Sequence, residues 1–329
     1  VRAVRMGERL NLALHELMAR DPDVYLLGED VADPYGGAFK ITKGLSTRFG
    51  DRVRSTPLSE GAIVGAGAGL ALAGGKAIVE IMFADFAALA FDQLVNFAAK
   101  STAMYGRRVP LPLIVRCPSG GNRGYGPTHS QSPHKHFIGV PGLDVYELTP
   151  FHDPGELLER MLAARRPCLL FEDKVLYTLP APEGGTVAGL FDHEVRGDVA
   201  RVFLPGAEPD CAIVAHGGVA HRVIEAMRTL LLEEDVACEL LVPARLYPLP
   251  ELPGLERAGH VCVVEDGSPG GSWGAEVARV LHPRLWPALR RPITLIGAAE
   301  RVIPAAPHLE REVLPQAERV HREILEALS

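Results

Sequence analysis

The chain has 329 residues, 47% hydrophobic and 23% charged, with a formal net charge of −7 at pH 7. Such a length accommodates two globular domains, each with its own core. The acidic balance leaves no electrostatic footprint for nucleic acid, and the longest weakly polar run, residues 61–75, stops short of the roughly 18 apolar residues a membrane span needs.

The opening segment lacks a secretory apolar core, so a cytoplasmic protein is expected. Met6, Leu10, Leu14, Leu17 and Met18 recur at helical spacing and predict an amphipathic helix. Residues 24–27 read as a strand ending at Gly28-Glu29-Asp30, and 56–75 as a loop entering a Gly/Ala-rich helix. A strand over 77–83, a helix over 87–104 and a strand over 111–115 follow. Asp153-Pro154-Gly155-Glu156 combines an N-cap acid, a proline in the first helical position and a glutamate three residues after the cap. Residues 168–171 close the first unit as a buried strand. Pro, Gly and charge crowd 178–199, which predicts a linker over 181–200. Beyond it, 212–215, 239–242, 261–264 and 293–296 read as strands with helical patterns between them. Short apolar runs alternating with helices predict an α/β fold: two doubly wound domains, 1–180 and 201–329, with mainly parallel sheets. Five cysteines (Cys117, Cys168, Cys211, Cys238, Cys262) lack C-x-x-C spacing, and four sit in apolar runs. Buried reduced thiols are expected, with no metal site or disulfide framework.

Individual residues say little about chemistry. An acid such as Glu60 in a first helical turn suits the macrodipole by about 0.3–1 kcal/mol and implies nothing more. Gly65, Gly67 and Gly69 follow no immediate strand, and Leu70 occupies the sixth position of a dinucleotide loop; a helix face packed against another backbone is the better reading. Gly270-Gly271-Ser272-Trp273-Gly274 matches G-x-S-x-G and raises a serine hydrolase using Ser272, with Glu300 and His308 in order. A nucleophile elbow needs its serine directly off a strand, whereas the 261–264 run ends several residues earlier.

In combination the segments say more. Gly28-Glu29-Asp30-Val31, Thr56-Pro57-Leu58-Ser59-Glu60, residues 80–86 ending in Phe83-Ala84-Asp85-Phe86, residues 91–96, and His129-Ser130-Gln131-Ser132-Pro133 occur in this order. Together they resemble the beta subunit of the thiamine-diphosphate-dependent decarboxylating component of 2-oxo acid dehydrogenase complexes, of the branched-chain, pyruvate or acetoin type. The resemblance covers nearly the whole chain, is strongest over 20–180 and weakens after 290. It implies a pyrimidine-binding domain followed by a transketolase-type C-terminal domain. Glu60 matches the acid that shares a proton with the aminopyrimidine nitrogen, and Leu58 falls with it among the cofactor-binding positions. Phe86 matches the aromatic that stacks on the pyrimidine. His129 matches the histidine at the pocket mouth, a proton donor when the acyl group passes to a lipoyl sulfur.

Thiamine enzymes hold the diphosphate through Mg²⁺, using Gly-Asp-Gly and an asparagine about thirty residues later, because this hard ion takes oxygen ligands. No Gly-Asp-Gly is present, and the only asparagines are Asn11, Asn96 and Asn122. The resemblance therefore implies an alpha subunit that holds Mg²⁺, a heterotetramer of two alpha and two beta chains, and a lone chain that binds the cofactor poorly. A lipoyl acyltransferase core is the further partner. Residues 129–133 and 171–174 lean toward a branched-chain 2-oxo acid. The same motifs serve a thiamine-dependent carboligase or acyl-transferring enzyme of specialised metabolism.

Several positions depart from the pattern. Where the family carries an acid and an asparagine holding a structural potassium ion, this chain has Ala164 and Arg166, whose guanidinium can take the ion's charge. Gly139 replaces a histidine two residues before Pro141-Gly142. His134-Lys135-His136 adds basic groups, read either as a solvated loop or as contacts to an anionic substrate or carrier. The 298–307 region lacks a Pro-rich, Tyr-containing turn, and the tail after an amphipathic helix diverges, which bears on docking of the acyltransferase core.

Overall fold

The computed structural model describes residues 3–182 and 186–329. The chain forms two compact units. The first comprises Val1–Ser119, Phe137–Leu148 and His152–Ala181; the second comprises Gly120–His136, Thr149–Phe151 and Pro182–Ser329.

In the first unit, six strands pair in the order β5-β6-β4-β3-β1-β2: β1 (Val24–Glu29), β2 (Val53–Thr56), β3 (Lys76–Glu80), β4 (Leu113–Ser119), β5 (Asp144–Glu147) and β6 (Cys168–Asp173). Every pairing among them is parallel. Helix α1 (Met6–Arg20) buries the predicted face of Met6, Leu10, Leu14, Leu17 and Met18, and the Glu8 carboxylate accepts the Arg5 N–H at its start. Two short helical segments, α2 (Leu45–Phe49) and later α4 (Ala99–Ser101), frame α3 (Glu60–Leu72). A Cβ on Gly67 would come within 2.5 Å of Val79 Cγ2, so glycine here lets α3 lie close on the sheet. Helix α5 (Pro154–Ala163) starts as its sequence predicts, with Asp153 accepting the Gly155 and Glu156 N–H groups.

The predicted helix over 87–104 is not continuous. A 3₁₀ segment (Ala84–Ala90) leads to a π-helical stretch (Gln93–Ala98) before α4. An apolar pattern this short does not separate i→i+3, i→i+4 and i→i+5 hydrogen bonding.

The second unit contains β7 (Thr186–Val187), β8 (Phe191–Arg196), β9 (Val199–Phe203), β10 (Cys211–Ala215), β11 (Cys238–Pro243), a short β12 (Arg245–Tyr247), β13 (Val261–Val264) and β14 (Thr294–Ile296). Its sheet runs β14-β13-β10-β11-β9-β8-β7. The β14-to-β11 half is parallel, whereas β9, β8 and β7 join antiparallel. The 181–200 stretch therefore holds strand structure, while residues 183–185 of it lie outside the described residues. Only Phe191 of β8 is fully buried, so its Asp192-His193-Glu194-Val195-Arg196 run reads in sequence as loop. Helices α6 (Ala220–Glu234), α7 (Trp273–Leu285), α8 (Pro307–Val313) and α9 (Ala317–Leu328) complete the unit. Its core gathers Phe191, Ile213, Met227, Leu240 and Ile324. All five cysteines are buried and free, as predicted. No described helix is long and apolar enough to cross a membrane.

Candidate active site

In the first unit, β1 has β2 on one side and β3 on the other. Open parallel sheets take ligands outside the carboxyl ends of their strands where the order reverses in this way. Three acids gather there. Glu29 ends β1 and Glu80 ends β3; Gly28 is level with Glu80, and Glu29 with Thr56 of β2. Four residues beyond Thr56, Glu60 opens α3.

Glu29 is 3% exposed, and neither carboxylate oxygen has a hydrogen-bond partner among the described residues. Its pKa is pushed up to about 7, first by burial, then by the charges of Glu60, Asp30 and Glu80. Glu60 is buried as well. Behind them, Arg116 donates to Glu80 Oε2 at 2.8 Å and to both oxygens of Glu172 at 2.7 and 2.8 Å. Tyr177 also donates its hydroxyl to Glu172. One guanidinium thus serves two buried carboxylates. Burial dominates at Glu80, whose pKa is raised although Arg116 opposes the shift.

Phe86 is half-buried and meets Phe83 edge-to-face, ring centroids 6.2 Å apart. Its 3₁₀ segment abuts the start of α3: a Cβ on Gly61 would lie 3.3 Å from the Leu89 carbonyl. Leu58 stands 79% exposed on the loop before Glu60. Glu60, Leu58 and Phe86 all belong to the first unit, and His129 belongs to the second. The half-buried His129 has its Nδ1 3.0 Å from Thr128 Oγ1, and its backbone N–H donates to the Gly126 carbonyl.

Residues just after His129 line a cavity of about 410 Å³ in the second unit, with Gln131, Ser132, His136, Asp266 and Arg301 among its walls. The solvated-loop expectation for 134–136 holds only for His136. His134 is buried, its ring 4.9 Å from that of His216. Lys135 donates to Ser268 Oγ and to the carbonyls of Ser268, Pro269 and Gly270. Burial would raise Asp266, but the His216 hydrogen bond and the charges of His216 and Arg222 hold it well below the usual carboxylate range.

The family pattern of the transketolase pyrimidine-binding domain matches residues 2–180, and that of the transketolase C-terminal domain matches 202–320. The chain is 32% identical to the beta subunit of acetoin:2,6-dichlorophenolindophenol oxidoreductase from Cupriavidus necator, over 94% of this chain and 93% of that one. It is 31% identical to the pyruvate dehydrogenase E1 beta subunit of Leifsonia xyli, over 97% and 93%. The chain belongs to the family of 2-oxo acid dehydrogenase beta subunits. A solved split-gene transketolase, an inactive beta4 tetramer, shares the fold at a TM-score of 0.75, with 19% identity over 99% and 98% of the two chains.

Within this beta subunit, Ser272 is a helix cap. Its Oγ accepts the Ala275 N–H at the start of α7 and also bonds buried Glu265, whose own carboxylate accepts the Gly274 N–H. Arg166 donates through Nε to Asp144 at 2.7 Å, and Asp144 is 2% exposed. That guanidinium already supplies a positive charge, so these residues do not fit a potassium ion held by an acid and an asparagine. Glu29 is the residue that sequence reasoning did not single out. Its signal in the sequence was its place in the Gly28-Glu29-Asp30-Val31 segment, as an acid closing an apolar strand.

Proposed function

We propose that this beta subunit contributes the pyrimidine-facing half of a thiamine diphosphate site to an enzyme that oxidatively decarboxylates a 2-oxo acid and passes the acyl group to lipoamide. The buried Glu29–Glu60 pair at the switch point carries this reading. The partnerless oxygens of Glu29 at the end of β1 are costly for a fold and suit a ligand that brings its own nitrogen. When bound, the cofactor supplies the nucleophilic carbon and the electron sink for loss of carbon dioxide.

The chain's own residues do the rest. Glu60 would share a proton with the aminopyrimidine ring nitrogen of the bound cofactor, from a buried position where a charged hydrogen bond is stronger than in water. Glu29, half-protonated near neutrality, keeps the pair from carrying two full negative charges. Phe86 offers an aromatic face, and exposed Leu58 an apolar support. His129, oriented by Thr128, supplies a proton to the sulfur released from the lipoyl disulfide.

An alpha subunit completes the enzyme by holding the diphosphate and Mg²⁺, in an assembly of two alpha and two beta chains, with a lipoyl acyltransferase as acceptor. The test is reconstitution with the alpha partner, followed by thiamine-diphosphate-dependent reduction of dichlorophenolindophenol with pyruvate, acetoin and a branched-chain 2-oxo acid in turn. Glu60→Gln should lower kcat by about 10²–10⁴-fold with assembly intact. Retention within about threefold would remove Glu60 from the mechanism.

A further inference from the structure

The loop that carries His129 is held from a distant part of the chain. Between residues 120 and 126, four backbone positions lie in the left-handed region: Gly120 (φ 79°), Asn122 (62°), Gly124 (69°) and Gly126 (79°). Alternation of this kind aims successive N–H groups at one side and forms a concavity suited to an anion. Glu310 of α8 fills it. Oε1 accepts the Asn122 N–H at 2.8 Å, and Oε2 accepts the Gly124 N–H at 3.0 Å, across 188 and 186 residues of sequence.

Glu310 is 2% exposed. Among the described residues its carboxylate is met by these amides and by no cation. Next to it, Gln316 donates to Asn122 Oδ1 at 3.0 Å while also holding the Leu314 carbonyl. Gly121 lies under buried Leu314, where an added Cβ would come within 2.4 Å of Leu314 Cδ1, and Gly124 and Gly126 lie on Ala305. At the far end, Gly120 N–H bonds the Gln131 carbonyl and closes a twelve-residue loop. His129 sits two residues before that closure, with Pro127 stiffening the approach.

We propose that Glu310 is a positioning residue for His129. By fixing the amides of Asn122 and Gly124 it sets where the imidazole stands, so the 305–316 segment contributes to acyl transfer without touching substrate. This rests on the role proposed above for His129. A catalytic group displaced by about 1 Å can lose on the order of 10²-fold in rate, while two amides released from a loop base shift it by less. The expected effect of Glu310→Gln is therefore about a tenfold loss at the step that involves His129.

The test uses the reconstituted alpha–beta enzyme with thiamine diphosphate, a 2-oxo acid and either dichlorophenolindophenol or a lipoylated acyltransferase domain as acceptor. Glu310→Gln should lower kcat for lipoyl acylation about tenfold, with KM for the 2-oxo acid unchanged and dye reduction within twofold of the parent. Gly121→Ala, which pushes the same loop from the Leu314 side, should give the same split. In a His129→Ala background Glu310→Gln should have no further effect. Equal losses with both acceptors, or full additivity with His129→Ala, would show a purely structural role and overturn the proposal. If His129→Ala alone leaves lipoyl acylation unchanged, the role of His129 falls first and that of Glu310 with it, which the single variant distinguishes.

Discussion

Replacing Glu29 by glutamine should stabilise the cofactor-free protein, and by an amount that grows with pH. In the folded chain the Glu29 carboxyl titrates near 7, against 4.5 for an unperturbed glutamate. The difference of about 2.5 pH units, at about 1.4 kcal/mol per unit, corresponds to at most about 3.5 kcal/mol. The folded state binds this proton more tightly than the unfolded one. Below pH 4.5 both states are protonated and the site is neutral toward stability. Between 4.5 and 7 stability falls as pH rises, and above 7 the whole penalty is present. Glutamine mimics the protonated acid and removes the penalty. Urea unfolding at pH 5, 6, 7 and 8 should show parent and variant converging at the acid end and the variant ahead by about 2–3.5 kcal/mol at pH 8. A gap independent of pH, or one that favours glutamate at pH 8, would refute the assignment of a buried, unsolvated acid at this position. The same variant should lose turnover in the reconstituted enzyme, because a fold that tolerates such a cost at its switch point is trading stability for function.

Arg116→Met should destabilise the first unit by about 3–5 kcal/mol, since it leaves Glu80 and Glu172 buried without their shared cation; urea midpoints measure this. Arg166 predicts indifference to the monovalent cation: melting in potassium and in sodium should agree within a degree, whereas Arg166→Asn should lower the melting point in both salts by removing a charged partner from buried Asp144.

Much of this fold can be read in advance, for physical reasons that differ by element. The α5 start is local chemistry, a carboxylate beside two free amides, and it appears as written. Strand β13 is a run of four apolar residues and appears at its expected bounds. Strand β8 escapes because it lies toward the open edge of a mixed sheet, where polar side chains outnumber buried ones. Strand β5 escapes because Asp144 and Glu147 interrupt its apolar pattern, yet all four of its residues are buried. At the site, Glu60 stands out only through the segments around it, since an acid in a first helical turn is ordinary. Glu29 and Glu310 are invisible for another reason. Their significance lies in what surrounds their oxygens, and that is fixed by strand order in one case and by a contact 188 residues distant in the other.

Lys135 spans the other wall of the second unit's cavity, where one ammonium gathers a hydroxyl and three consecutive carbonyl oxygens from residues 268–270. Oxygen dipoles converging on one point repel one another unless a cation sits among them. The stretch after His129 and the turn leading into α7 are thereby riveted into a single mechanical piece. Replacing Lys135 by a neutral side chain would leave those oxygens facing one another at the cavity wall.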